Sequence, residues 1–174
     1  MNDHDGTERD PAQAMLCLLA EGLPATAPPA TLRDRLLSSL CGTARYLPFA
    51  SDVARHYGLT DVEARAVLAR ASDPNAWLAG ATPGSSLLVA PELDRVQAVI
   101  ARLPAGAHIP VHVHDSCELT FVLDGILHDD TRTLQAGELM TMQPGSQHAV
   151  RVDPLTACVV VLGNTNDPLN ERRD

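Results

Sequence analysis

The sequence predicts an α+β protein in two parts: a small N-terminal helical domain over residues 1–80, then an antiparallel jelly-roll β-barrel over residues 81–174. Three observations predict it. Apolar residues recur at helical spacing as far as Ala71 and at alternating spacing from Leu87 onward. The second stretch is cut into short runs by closely spaced turn signals, the pattern of a sandwich or barrel. Apolar residues make up 45% of the 174 and aromatics only 3%, so both parts must build their cores from Leu, Val, Ile and Ala.

The helical part is read in order. Residues 1–10 form a polar tail. Pro11 can open a helix over Ala12 to Glu21, which Gly22 stops. Leu23 to Pro29 is a Pro/Ala linker. A second helix, Leu32 to Cys41, carries Leu32, Leu36, Leu37 and Leu40 as one apolar stripe. Ser51 to Tyr57 is a third, broken by Gly58. Thr60-Asp-Val-Glu63 is a capping box that starts a fourth, running to Ala71. Asp73-Pro74 stops it, and Asn75 to Leu78 adds a turn that brings Trp77 onto the fold. Ala79 to Ser86, rich in Gly and Pro, links the two parts.

Nine strands follow: Leu87–Ala90, Val96–Leu103, Ala107–His114, Glu118–Leu123, Ile126–Asp129, Thr131–Leu134, Glu138–Met142, Gln147–Val152 and Ala157–Leu162. Asp124-Gly125 between two apolar runs is a strong hairpin signal. The tail after Gly163 is polar.

Charge narrows the function. The net charge is −9, and all 13 basic residues are Arg, so a non-specific grip on nucleic acid or anionic lipid is disfavoured. No apolar run is long enough to span a membrane, and the acidic start lacks a signal peptide's basic and apolar regions. The expected location is the cytoplasm, with Cys17, Cys41, Cys117 and Cys158 as free thiols.

The chemistry-bearing stretch runs from Gly106 to Gly125. On an extended strand His112 and His114 point to the same face, and Glu118, at an even offset, can return to it after a turn. His148 supplies a third imidazole. Three imidazoles and a carboxylate on a concave β-surface make a site for a first-row transition metal. Val111, Val113, Leu119, Phe121 and Leu123 then face the other way, and the helices or a second subunit must cover them.

These residues resemble the cupin superfamily. Gly106, His112, His114, Glu118 and Gly125 fill G-x5-H-x-H-x3-E-x6-G. Gly137, Gly145 and His148 fit the second motif, G-x5-P-x-G-x2-H-x3-N, with Gln143 in place of its Pro and Val152 in place of its Asn. The resemblance implies that His112, His114, Glu118 and His148 hold one metal. The two-part layout, with Pro28 to Leu37 in the helical part, resembles the ChrR-type cupin anti-sigma factors. In that family the N-terminal domain binds zinc and an extracytoplasmic-function sigma factor, and a zinc-bound cupin responds to reactive oxygen. The family's N-terminal zinc motif, H-x3-C-x2-C, is absent: His4, Cys17 and Cys41 lack that spacing.

The remaining candidates read as structural. His108 is a strand-end residue, His128 a solvated hairpin residue beside Asp129 and Asp130, Cys117 a small turn residue, and Met140 and Met142 core. Residues 52–70 have helix-turn-helix spacing, but Asp61 and Glu63 would meet phosphate, so a plain helical hairpin is favoured. Thr120, Val122, Val150 and Val152 share the inward parity and are chemically quiet, so no catalytic residue is assigned.

The expectation is a homodimeric ChrR-like regulator acting in transcriptional or oxidative-stress response. It carries one divalent metal, zinc first, with iron, manganese or nickel as alternatives. It acts through a sigma factor or another regulatory protein held by the helical domain. The rival is a small metal-dependent cupin enzyme, a dioxygenase or an isomerase. A DNA binder using residues 52–70 is the third reading.

Overall fold

The computed structural model describes Leu32, Gly42 and residues 44–165. The predicted helix over residues 12–21, all of the 32–41 helix but Leu32, His4, Cys17, Cys41 and the residues beyond 165 lie outside the described residues. Gly42 and residues 44–165 belong to one compact unit that begins at Leu37.

Helix α1 spans Ala50–Tyr57, and its Ala50, Val53 and Tyr57, at i, i+3 and i+7, are the buried face. Gly58 ends it in the left-handed conformation at φ 68°. Helix α2 spans Asp61–Ala71 and opens on the expected capping box. Thr60 Oγ1 accepts the Glu63 N–H at 3.2 Å, and Glu63 Oε2 accepts the Thr60 N–H at 2.7 Å. Its buried face is Ala64, Val67, Leu68 and Ala71. A 3₁₀ turn, Pro74–Ala76, follows. It delivers Trp77, whose Nε1 donates to Ala71 O at 3.2 Å while the Arg102 guanidinium lies 4.2 Å over the ring.

The strands are β1 Leu78–Ala79, β2 Ser86–Leu88, β3 Ala98–Leu103, β4 His108–Val113, β5 Cys117–Asp124, β6 Ile126–Asp129, β7 Thr133–Gln135, β8 Leu139–Met142, β9 Gln147–Val152 and β10 Cys158–Thr165. They form a six-stranded sheet, β1-β2-β3-β10-β5-β8, and a four-stranded sheet, β4-β9-β6-β7. Every described pairing is antiparallel.

Four features depart from the expectation. Asp124-Gly125 is not a hairpin turn, because β5 lies in the large sheet and β6 in the small one and the two do not pair. The barrel is not closed, because no ladder joins the two sheets among the described residues. Where β5 and β7 would meet, the turn between β7 and β8 takes the backbone bonds instead: Gly137 N–H donates to Val122 O at 2.8 Å and Val122 N–H to Glu138 O at 3.0 Å. A short helix α3, Pro91–Arg95, precedes β3, and Gln97, at φ 52°, turns the chain into that strand. The Gly- and Pro-rich stretch near residue 80 is the loop of the β1–β2 hairpin, closed by Gly80 N–H to Ser85 O at 2.9 Å.

Opposite faces of the large sheet feed two cores. Between the sheets lie Ala101, Leu103, Val122, Leu127, Leu134, Met140, Val150, Val152, Cys158 and Val160. On the outer face, Ile100, Leu119, Phe121, Leu123, Val159 and Val161 pack with α1, α2 and α3. The apolar back of β5 is therefore covered by helices, whereas Val111 and Val113 on the edge strand β4 stay exposed. The outer core joins residues on both sides of position 80, such as Ala50 and Val161. Burying a side chain such as Phe121 in this way contributes about 1.5–3 kcal/mol.

Tyr57 pins α1 to the large sheet. Its hydroxyl donates to Val161 O at 2.7 Å, with Leu119 O at 3.3 Å. Gly163 makes room for the ring, since a Cβ there would lie 2.8 Å from Tyr57 Cε1.

Candidate metal centre

Three imidazoles meet at one end of the small sheet. His112 on β4 and His148 on β9 are direct cross-strand partners, which places their side chains on one face. His114 follows the end of β4. Its N–H donates to Ser146 O at 3.0 Å, and its carbonyl accepts the Gly145 N–H at 2.7 Å. Pro144-Gly145 is therefore the turn that brings His148 back beside His114.

The rings form a near-equilateral triangle, with centroids 4.8, 4.7 and 4.9 Å apart. One potential ligand atom from each of the three lies within 4.8 Å of the others, so they could hold a metal ion. Glu118 stands beside this group rather than within it: its Oε2 is 3.8 Å from His114 Nδ1, and its Oε1 accepts from Thr120 Oγ1 at 3.4 Å.

The hydrogen bonding fits a metal. His112 Nδ1 lies 3.0 Å from Pro110 O. A carbonyl only accepts, so Nδ1 is the donor and the Nε2 lone pair is free. His114 Nε2 and His148 Nδ1 are buried without a hydrogen-bond partner. Leaving such a group unpaired costs about 1–3 kcal/mol. Burial, and next the adjacent His112, hold the His148 pKa below its ordinary value, which favours the neutral ring that a metal requires.

Asp129 was missed in the sequence. Its side chain is only 8% exposed, and its Oδ1 lies 3.6 Å from His148 Nδ1. Asp-Asp-Thr reads locally as a wet turn, and only the pairing of β6 with β9 brings it here. The other candidates lie elsewhere. His108 is exposed at the start of β4. His128 Nδ1 is 3.0 Å from Thr133 Oγ1, away from the triangle. Cys117 is not a turn residue but the buried first residue of β5, and burial raises its pKa, as it does for Cys158, pushed up to about 12. Neither thiol is activated. Met140 and Met142 join the core between the sheets.

The helical hairpin offers little free positive charge. Arg55 pairs with Asp52 at 2.7 Å, Arg65 with Asp61 at 2.7 Å and Arg70 with Glu92 at 3.9 Å. No described helix is long and apolar enough to cross a membrane.

A family model described as the ChrR cupin-like domain matches residues 65–166. Among solved structures, the chain is similar to Rhodobacter sphaeroides SigE in complex with the anti-sigma ChrR, at 18% identity, covering 87% of this chain and 75% of that one with a TM-score of 0.46. It is similar to an RmlC-like cupin from Shewanella frigidimarina at 20% identity, covering 52% and 84%, TM-score 0.41. It is also similar to an acetylacetone dioxygenase from Acinetobacter johnsonii at 14% identity, covering 53% and 70%, TM-score 0.44. No curated protein matches.

Proposed function

We propose that this chain, which belongs to the ChrR cupin-like domain family, is a metal-binding cupin regulator that acts through a protein partner, with a sigma factor as the first candidate. The observation that carries the reading is the His112–His114–His148 triangle, with His114 Nε2 buried and unpartnered. Within a cupin of this family, such a triangle is a metal centre. Glu118, beside His114, is the natural fourth ligand, and zinc the natural ion for three imidazoles and one carboxylate. When bound, zinc would supply a fixed positive charge and tie β4, β5 and β9 together. Thr120, Val122, Val150 and Val152 are buried and chemically quiet, and the carboxylates beside the triangle, Glu118 and Asp129, are engaged with its imidazoles, which favours a regulator over an enzyme.

The test is co-purification of the tagged full-length chain with proteins identified by mass spectrometry. A sigma factor retained in stoichiometric amount supports the reading. Its absence, with a separately added sigma factor also failing to bind, rejects that partner.

One observation favours a second reading. His112 is only half-buried and the Glu118 side chain is 25% exposed, so the site is reachable by a small molecule. A redox metal here, with turnover of a small substrate, would make the chain a cupin enzyme. We also propose a homodimer, built on the exposed Val111 and Val113 of β4. Sedimentation of the wild type and of Val111→Ser/Val113→Ser would show a dimer lost in the variant, or a monomer in both.

A further inference from the structure

We infer that Asp129 is a positioning residue for His148: its carboxylate holds the Nδ1 edge of the ring and so makes Nε2 the nitrogen offered to a metal. The inference rests on the metal-binding reading above. His148 Nδ1 is buried without a partner, and Asp129 Oδ1 stands 3.6 Å away. The two side chains are 4% and 8% exposed, so they face each other out of bulk water. The gap is about half an ångström beyond hydrogen-bond range, which a small rotation of either side chain closes.

The carboxylate is held in place from behind. Its Oδ2 accepts from Thr131 Oγ1 at 3.3 Å, and the Asp129 N–H donates to Arg132 O at 2.8 Å. The neighbouring Asp130 Oδ2 accepts the Ala149 N–H at 3.0 Å. The end of β6 and the residue after it thus address two consecutive residues of β9, Asp130 the backbone at Ala149 and Asp129 the ring at His148.

An ionised carboxylate only accepts hydrogen bonds, and a neutral imidazole carries one N–H and one lone pair. Asp129 therefore selects the tautomer with the proton on Nδ1 and leaves the lone pair on Nε2. His112 is treated in the same way by Pro110 O. Two of the three imidazoles are then fixed in one tautomer by outer acceptors, one neutral and one charged. The charged one does more, because a carboxylate behind a metal-bound His also raises its basicity. A buried carboxylate and a buried unpaired imidazole are each costly alone, and one contact relieves both.

The test compares wild-type chain, Asp129→Asn and Asp129→Ala by two readouts. Long-range ¹H–¹⁵N correlation at pH 8 reports the His148 tautomer in metal-free protein. Chelator competition reports zinc affinity. The expected result is an Nδ1–H tautomer in the wild type that is lost or mixed in Asp129→Ala, with zinc affinity lowered about 10–100-fold at unchanged stoichiometry. Asp129→Asn keeps the shape and an acceptor oxygen and should fall between. An Nε2–H tautomer in the wild type, or a tautomer indifferent to both substitutions, overturns the inference. If the tautomer depends on Asp129 but the wild type takes up no zinc, the metal reading fails and the positioning role stands. If zinc binds but neither readout responds to Asp129, the metal reading stands and the positioning role fails.

Discussion

The Tyr57 hydroxyl and the His114 and His148 rings of the triangle are all buried, and they are satisfied differently. Under the helices, the Tyr57 hydroxyl has carbonyl acceptors on β10 and β5. Between the sheets, His114 Nε2 and His148 Nδ1 have none. Buried polar groups are overwhelmingly paired, so the first site is complete within the chain. The second is proposed to be completed by an ion at His114 Nε2 and by the Asp129 carboxylate at His148 Nδ1, which leaves His148 Nε2 to the same ion. The outer face of the large sheet is thus finished by packing, and the small sheet's histidines are left for a ligand.

The sharpest way to break this comparison is His148→Ala. It should abolish stoichiometric metal binding and the stabilisation that comes with it, about 2.7 kcal/mol when free zinc is a hundred times Kd. Thermal melts with and without zinc check this: the wild-type midpoint rises and the variant's does not. Next comes Gly163→Val, which drives a side chain into the Tyr57 ring. It should cost about 3 kcal/mol by denaturant unfolding while zinc stoichiometry is unchanged. Tyr57→Phe removes only the hydroxyl bonded to Val161 O. It should cost about 1.5 kcal/mol, again without effect on metal. The smallest effect is expected from Thr60→Ala, which removes the cap of α2 and should cost about 1 kcal/mol. A loss of zinc in either Tyr57→Phe or Gly163→Val would show that the two sites are not independent.

These residues also show what the sequence could reveal. The capping box at Thr60 is a local device written in adjacent residues, and α2 has the expected ends. Asp124-Gly125 does separate β5 from β6, but the two strands lie in different sheets and do not pair, so it is a crossover between sheets and not the expected hairpin. The alternation of His112 and His114 points both rings to one face by strand geometry, and the rings do meet although His114 lies just past the end of β4. The return of His148 to that face depended on a motif rather than on periodicity. Helix α3 was hidden because five residues are too few to show a helical period. The β1–β2 hairpin was hidden because strands of two and three residues look like the loop that joins them. Asp129 was hidden for a third reason: its burial comes from the register between β6 and β9, which no local pattern encodes. The open edges of the two sheets belong to the same class, since strand lists do not say where hydrogen-bonding ends.

The most direct measurement is elemental analysis of the full-length chain purified without added metal, with His148→Ala beside it. The account predicts close to one equivalent of zinc per chain in the wild type and none in the variant. A wild-type chain that carries no metal, and takes none up when zinc, iron, manganese or nickel is supplied, would contradict it.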